Sequence, residues 1–231
     1  MKRLGIIGGM SWESTQSYYR LLNEGVKARL GGLHSADLLL HSLDFAPIAA
    51  LQAEGDWDRL GDQLVDSARR LEGAGAEAVL IATNTMHRVA EAVEQALAVP
   101  LLHIADATGE ALAGAGIERA GLLGTAFTME QSFYRGRLEE RFGLEVVTPV
   151  PEDRARVHRI IYEELCRGQV LEPSRDLFAQ ISERLRAQGA EAVILGCTEI
   201  GLLLTPGSVT LPLYDTTALH CEQALAYMLD D

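Results

Sequence analysis

Short apolar runs alternate with segments of helical period along the whole chain. Leu4–Ile7 is apolar and ends at Gly8-Gly9, which reads as a strand and its turn. A helix is expected from about Glu13 to Leu30, stopped by Gly31-Gly32. Asp37–Leu43 reads as a second strand. Trp57, Leu60, Leu64, Ala68 and Leu71 recur at helical spacing, before Gly73 and Gly75. Ala78–Ala82 predicts a buried strand, Thr85–Leu97 a helix and Pro100–Ile104 a strand. The rhythm then restarts with strand Ala120–Leu123, helix Ser132–Phe142 and strand Glu145–Val147. Helices Glu152–Gly168 and Pro173–Gln188, strands Ala192–Leu195 and Thr210–Leu213, and a helix Thr217–Leu229 complete it. Such alternation predicts parallel sheets covered by helices on both faces.

The restart is a repeat. Gly5-Ile-Ile-Gly8 matches Gly121-Leu-Leu-Gly124, and Gln16-Ser-Tyr-Tyr-Arg20 matches Gln131-Ser-Phe-Tyr-Arg135. Gly75-Ala-Glu-Ala-Val79 matches Gly189-Ala-Glu-Ala-Val193, and Asp106-Ala-Thr108 matches Asp215-Thr-Thr217. The four matches keep one order, with offsets of 116, 115, 114 and 109 in a chain of 231 residues. A duplicated unit follows. The expectation is two similar Rossmann-like α/β domains related by a pseudo-two-fold axis. The shorter last offset places the first domain at 1–108 plus 215–231 and the second at 109–214.

Composition narrows the function. Hydrophobic residues are 48% and charged residues 23%, an ordinary globular mix that excludes disordered and fibrous classes. The net charge of −13 repels phosphate backbones and anionic membrane surfaces, so neither nucleic acid nor membrane is an expected partner. Three cysteines, Cys166, Cys197 and Cys221, cannot all pair within the chain and show no zinc-like spacing. They suggest a reducing cytoplasm. No apolar run reaches the ~18 residues of a membrane span, and no signal peptide is visible. No metal is expected. Without a Gly-x-Gly-x-x-Gly turn, no dinucleotide cofactor is expected either.

Each copy of Gly-Ala-Glu-Ala-Val leads into a strand and a polar turn. The first turn is Thr83-Asn-Thr-Met-His87 and the second Gly196-Cys-Thr-Glu199. Thr83 lies 8 residues after Gly75, and Cys197 lies 8 after Gly189, so the two positions are equivalent. Both stand at carboxyl ends of parallel strands, where open α/β sheets bind ligands. Both also open helices, whose free N–H groups favour an anion. A two-fold relation would set the two side chains facing across one cleft between the domains. Inverting a carbon centre needs that: one group removes a proton from one face while another delivers a proton to the opposite face. Hydroxyls and amides of Asn84, Thr85 and Thr198 would hold a carboxylate and stabilise the charge that develops on it. Other uses exist for each residue. Thr83 suits a helix cap, and Cys166 and Cys221 read as core. His87 reads as structural, with a place lining the cleft as the alternative, and Arg135–Arg141 reads as a solvated helix face.

The sequence resembles the aspartate/glutamate racemase family over its whole length. The matching motifs are Gly5-Ile-Ile-Gly-Gly-Met10, Thr83-Asn-Thr-Met-His87, Leu123-Gly-Thr125 and Gly196-Cys-Thr-Glu199. It is most similar to the branch specific for L-aspartate and L-glutamate, which carries Thr where related enzymes carry a first Cys. The resemblance implies a cofactor-independent racemase with Thr83 and Cys197 as acid/base residues. It implies substrate contacts from Met10, Gln52, Asn84, Thr85, Thr125, Thr198 and Glu199, and a homodimer. Two-Cys relatives grip the distal carboxylate with basic residues near the positions of Gln52 and Cys166. Neither is basic here. Malonate-type decarboxylation on the same scaffold, or amino-acid binding without turnover, are the alternative readings.

Overall fold

The computed structural model describes residues 1–230. The described residues separate into two compact units, 1–104 with 220–230 and 105–219.

The first unit holds β1 (Leu4–Gly8), α1 (Trp12–Leu30), β2 (Leu38–Ser42), α2 (Phe45–Glu54), α3 (Trp57–Gly73) and β3 (Ala78–Ile81). A 3-10 turn at Thr85–Val89, α4 (Ala90–Ala96) and β4 (Leu101–Leu102) follow. The strands form one parallel sheet in the order β2-β1-β3-β4. Successive side chains of a strand point to opposite faces, which explains the near-continuous apolar runs. Ile7, Val79 and Ile81 pack with Leu60, Leu64 and Leu71 of α3. Leu4, Ile6 and Leu80 pack instead with Tyr18, Leu22 and Val26 of α1 and with Leu225 and Met228 near the C-terminus.

The second unit repeats the plan. It contains α5 (Ile104–Gly114), β5 (Arg119–Gly124), α6 (Ala126–Glu130), α7 (Ser132–Phe142), β6 (Glu145–Val147) and α8 (Pro151–Glu163). A 3-10 turn at Leu165–Arg167, α9 (Glu172–Ala187), β7 (Ala192–Gly196), α10 (Ile200–Leu203) and β8 (Leu213–Asp215) complete it. The parallel sheet runs β6-β5-β7-β8, the same order as the first. From β8 the chain enters α11 (Thr216–Leu229), which carries it back into the first unit.

Several elements depart from the sequence pattern. α2 is absent from it because Phe45–Glu54 is apolar without a stripe and contains Pro47. Asp44 caps this helix by accepting from Ala46 N–H at 3.2 Å, and Pro47 lies in its first turn, where a missing N–H is tolerated. The last strand begins at Leu213 rather than Thr210, because Pro212 has no N–H for the ladder; its carbonyl accepts from Val193. β4 is only two residues long and Ile104 already starts a helix. The Thr85–Leu97 helix divides into a 3-10 turn and α4. No helix among the described residues is long and apolar enough to cross a membrane.

Candidate active site

The first polar turn is fixed from both sides. Ala82 N–H donates to Ile7 O of β1 at 2.9 Å, and Ser14 Oγ of α1 donates to Ala82 O at 3.2 Å. Thr83, the next residue, is half-buried, whereas Asn84, Thr85, Met86 and His87 are buried. Gln52 of α2 is buried too, its Nε2 placed 3.2 Å from Met86 Sδ, and Met10 belongs to the same apolar cluster as Met86. Met10 and Gln52 are thus gathered against the turn that carries Thr83, Asn84 and Thr85. Gly9 lets the chain after β1 pass close to the Leu43 backbone. It has φ +90°, and a Cβ there would stand 2.1 Å from Leu43 O. The neighbouring Gly8 carbonyl accepts from Leu43 N–H at 2.9 Å.

The second turn leaves β7 at Gly196, paired in register with Gly124 of β5. A Cβ on Gly124 would lie 2.8 Å from Gly196 O, so glycine permits the close approach. Thr125 follows Gly124 and caps α6, its Oγ1 accepting from Thr128 N–H at 3.3 Å. Cys197, Thr198 and Glu199 converge. Cys197 Sγ donates to Glu199 Oε2 at 2.8 Å, and Thr198 Oγ1 donates to the same oxygen at 2.9 Å. Burial pushes the Cys197 thiol well above its ordinary range, and the Glu199 charge and the nearby Cys166 push it further. Cys197 therefore rests as a protonated thiol whose hydrogen is aimed at a carboxylate.

Helix α8 supplies a wall that the sequence reading missed. Tyr162 is influenced by Cys197, Cys166 and Glu199, and its phenol is held well above the usual range, chiefly by burial. His158, one turn earlier, lies 4.8 Å from the Tyr162 ring and 6.0 Å from Phe127. His158 Nδ1 accepts from Ala126 N–H at 3.1 Å, and burial lowers its proton affinity against the opposing pull of Glu130. It is a neutral ring with its proton on Nε2, assigned from that bond. Cys166 is half-exposed in the 3-10 turn after α8, not a core residue as its helical pattern suggests. The signal was available: His158, Tyr162 and Cys166 stand at spacings of four, which is one face of a helix. Cys221 is buried in the core, as expected. The Arg135–Arg141 face is less solvated than expected, because Arg137 grips Asp106 with two bonds of 2.6 and 2.8 Å.

Residues 7–224 match the family described as Asp/Glu/Hydantoin racemase. The chain is similar to the crystal structure of a candidate Asp/Glu racemase from Yersinia pestis, at 53% identity and TM-score 0.93 with all of both chains covered. It is similar to PH1733, an aspartate racemase homologue from Pyrococcus horikoshii OT3, at 34% identity and TM-score 0.85 over 99% of each chain. It is also 25% identical to the broad specificity amino-acid racemase RacX of Bacillus subtilis (strain 168), over 98% of each chain. The fold, the two in-register turns and these likenesses agree: the chain belongs to the Asp/Glu/hydantoin racemase family, and it is an isomerase of the amino-acid racemase type.

Proposed function

We propose that the enzyme interconverts the enantiomers of aspartate, glutamate or both without a cofactor, with Thr83 and Cys197 serving opposite faces of one α-carbon. The observation that carries this reading is the buried Cys197–Glu199 hydrogen bond of 2.8 Å, in a turn whose equivalent in the first unit presents Thr83. Asn84, Thr85, Thr125 and Thr198 hold the substrate carboxylate through hydroxyl, amide and turn N–H groups. They stabilise the charge that spreads into that carboxylate as the α-proton leaves. Met10 and Gln52 border the substrate on the first unit.

The two faces work unequally. When Thr83, having first lost its hydroxyl proton to solvent, removes the α-proton, the Cys197 thiol donates its own proton to the opposite face and becomes a thiolate. Solvent then restores the thiol, and Thr83 is again a hydroxyl. In the reverse direction the Sγ–H proton passes to Glu199 Oε2, the thiolate so formed takes the α-proton while the Thr83 hydroxyl delivers one, and solvent then takes the Glu199 proton and reprotonates Thr83. An ionised threonine is a far stronger base than a thiolate and is scarcely populated near neutrality. Proton abstraction by Thr83 is therefore the slow step.

The test is a panel of both enantiomers of aspartate and glutamate incubated in D2O, with α-deuterium and optical rotation followed together. Deuterium entering the α-position with inversion supports the reading; no exchange with any of the four sinks it. Three cysteines free of disulfides fit a reducing cytoplasm. A homodimer is supported by exposed Trp12 and Tyr19, seven residues apart on one face of α1, and by exposed Leu40 on the open edge strand β2. Light scattering at micromolar concentration checks that assembly, and a monomer there would remove it.

A further inference from the structure

We infer that His87 is a positioning residue that sets the Thr83 turn by locking the Thr83 carbonyl, a role with no counterpart on the Cys197 side. The inference rests on the racemase reading above.

His87 Nδ1 lies 2.8 Å from Thr83 O, and Ile104 N–H donates to His87 Nε2 at 3.3 Å. A carbonyl can only accept and an N–H can only donate. One state satisfies both: a neutral ring with its proton on Nδ1, assigned from this pattern. The ring is buried, and its centroid lies 4.4 Å from that of buried His103 and 5.9 Å from that of buried His220. His220 is fixed in turn: its Nε2 lies 2.8 Å from Leu102 O, and its Nδ1 lies 2.9 Å from Tyr18 OH. The Leu102 carbonyl can only accept, which places a proton on Nε2 of this ring. His87 therefore ties the Thr83 turn to Ile104 just after β4, and its ring rests beside His220, which is held by β4 and α1.

The second unit solves the same problem differently. The Cys197 carbonyl accepts from the backbone N–H of Ile200 at 3.0 Å. The position equivalent to His87 is Gly201, where a Cβ would stand 2.7 Å from Asp215 Oδ2. The Asp215 side chain would have to move before any side chain could stand there, and the glycine itself offers no group to hold the Cys197 carbonyl. The side-chain lock thus belongs to the Thr83 half alone. That is the half whose base is scarcely populated near neutrality and whose proton abstraction is the slow step, where small errors of orientation cost most; a misplacement of ~1 Å can lower a rate about 100-fold.

The test separates the two faces. Rates of interconversion in the two directions are tied by the equilibrium constant, so both must fall together. Exchange with retained configuration is not so tied, because Cys197 can remove a proton and return a deuteron to its own face. His87→Ala is expected to slow inversion about 100-fold, while exchange with retention at the Cys197 face stays within about threefold. His87→Asn, which keeps a donor for the Thr83 carbonyl, is expected to recover most of the inversion rate. Nitrogen-15 shifts of the wild-type protein should show His87 neutral and protonated on Nδ1. Equal loss of inversion and of exchange with retention overturns the inference, as does failure of Asn to improve on Ala. A proton on Nε2 also overturns it, and that measurement stands if His87→Ala does not fold. A wild-type protein that exchanges no α-proton at all fails the racemase reading first and takes the positioning role with it.

Discussion

The two units agree at one end of their sheets and part company at the other. At the amino ends, Glu77 accepts from Arg3 N–H at 2.7 Å, and Glu191 accepts from Glu118 and Arg119 N–H at 2.8 and 3.0 Å. Arg3 pairs with Asp37, and Arg119 with Glu145. Val79 donates to Pro100 O, and Val193 donates to Pro212 O, both at 2.9 Å. At the carboxyl ends, Thr83 stands against Cys197, Asn84 against Thr198, Thr85 against Glu199 and His87 against Gly201. The frame is held by backbone bonds and distant pins, so the turns have been free to diverge in chemistry without disturbing the sheet. What differs between the halves is therefore a better guide to mechanism than what they share.

The largest expected effect comes from removing the thiol. Cys197→Ala deletes the acid of one face and is expected to lower racemisation by about 1,000-fold or more. Stopped-assay optical rotation reads it, and retention of a tenth of the wild-type rate would show that the thiol is not the acid. Next comes making the halves alike. Thr83→Cys puts a tunable acid/base group in the first turn and is expected to raise exchange at that face by roughly tenfold. Deuterium incorporation measured separately for each enantiomer would show it. An unchanged ratio between the enantiomers would mean that Thr83 does not touch the proton.

A subtler probe is Glu199, which holds the Cys197 hydrogen and supplies a negative charge beside it. Glu199→Gln keeps the shape and removes the charge. The thiol should then ionise at lower pH, though burial still holds it above the ordinary range. Site-resolved alkylation by iodoacetamide, followed across pH by mass spectrometry, is expected to start at lower pH in the variant. A later start would reverse the sign of the Glu199 effect.

Much of this was legible in the sequence, and for identifiable reasons. Long apolar runs such as Ala78–Ala82 and the stripe Leu60–Leu71 are dictated by burial, which acts locally and repeats. The turns carrying Thr83 and Cys197 were found through the register of the repeat, not through their own composition. What escaped notice depends on distant contacts. The spacing of Tyr162 from His158 and Cys166 hints at one helix face, but its electrostatic coupling to Cys197 and Glu199 arises from residues more than thirty positions away. The lock on Thr83 joins His87 to Ile104, and its neighbours His103 and His220 are equally remote from the motif. Short helices such as α10 are set by tertiary pairing and fall below any periodic signal, and β4 keeps only two residues of the run Pro100–Ile104 because Ile104 already starts a helix.

The smallest effect probes the shared end. The Glu191 carboxyl is held below its usual range by the backbone N–H groups of Arg119 and Glu118, against a small opposing cost of burial. A carboxylate with a depressed folded-state proton affinity stabilises the fold fully above its unfolded range, near pH ~4.3 for glutamate. That contribution is lost as pH falls through the lower, folded value. Glu191→Gln removes the titrating group but leaves an oxygen able to accept from the same two N–H groups. The variant is expected to be slightly less stable than wild type near neutrality, with the difference narrowing as acid protonates Glu191 in the wild type. Thermal unfolding midpoints compared from about pH 7 to about pH 3 measure it. A difference that widens toward acid would mean that the carboxylate is not what holds the start of β5, and the likeness between the two amino ends would then be one of shape alone.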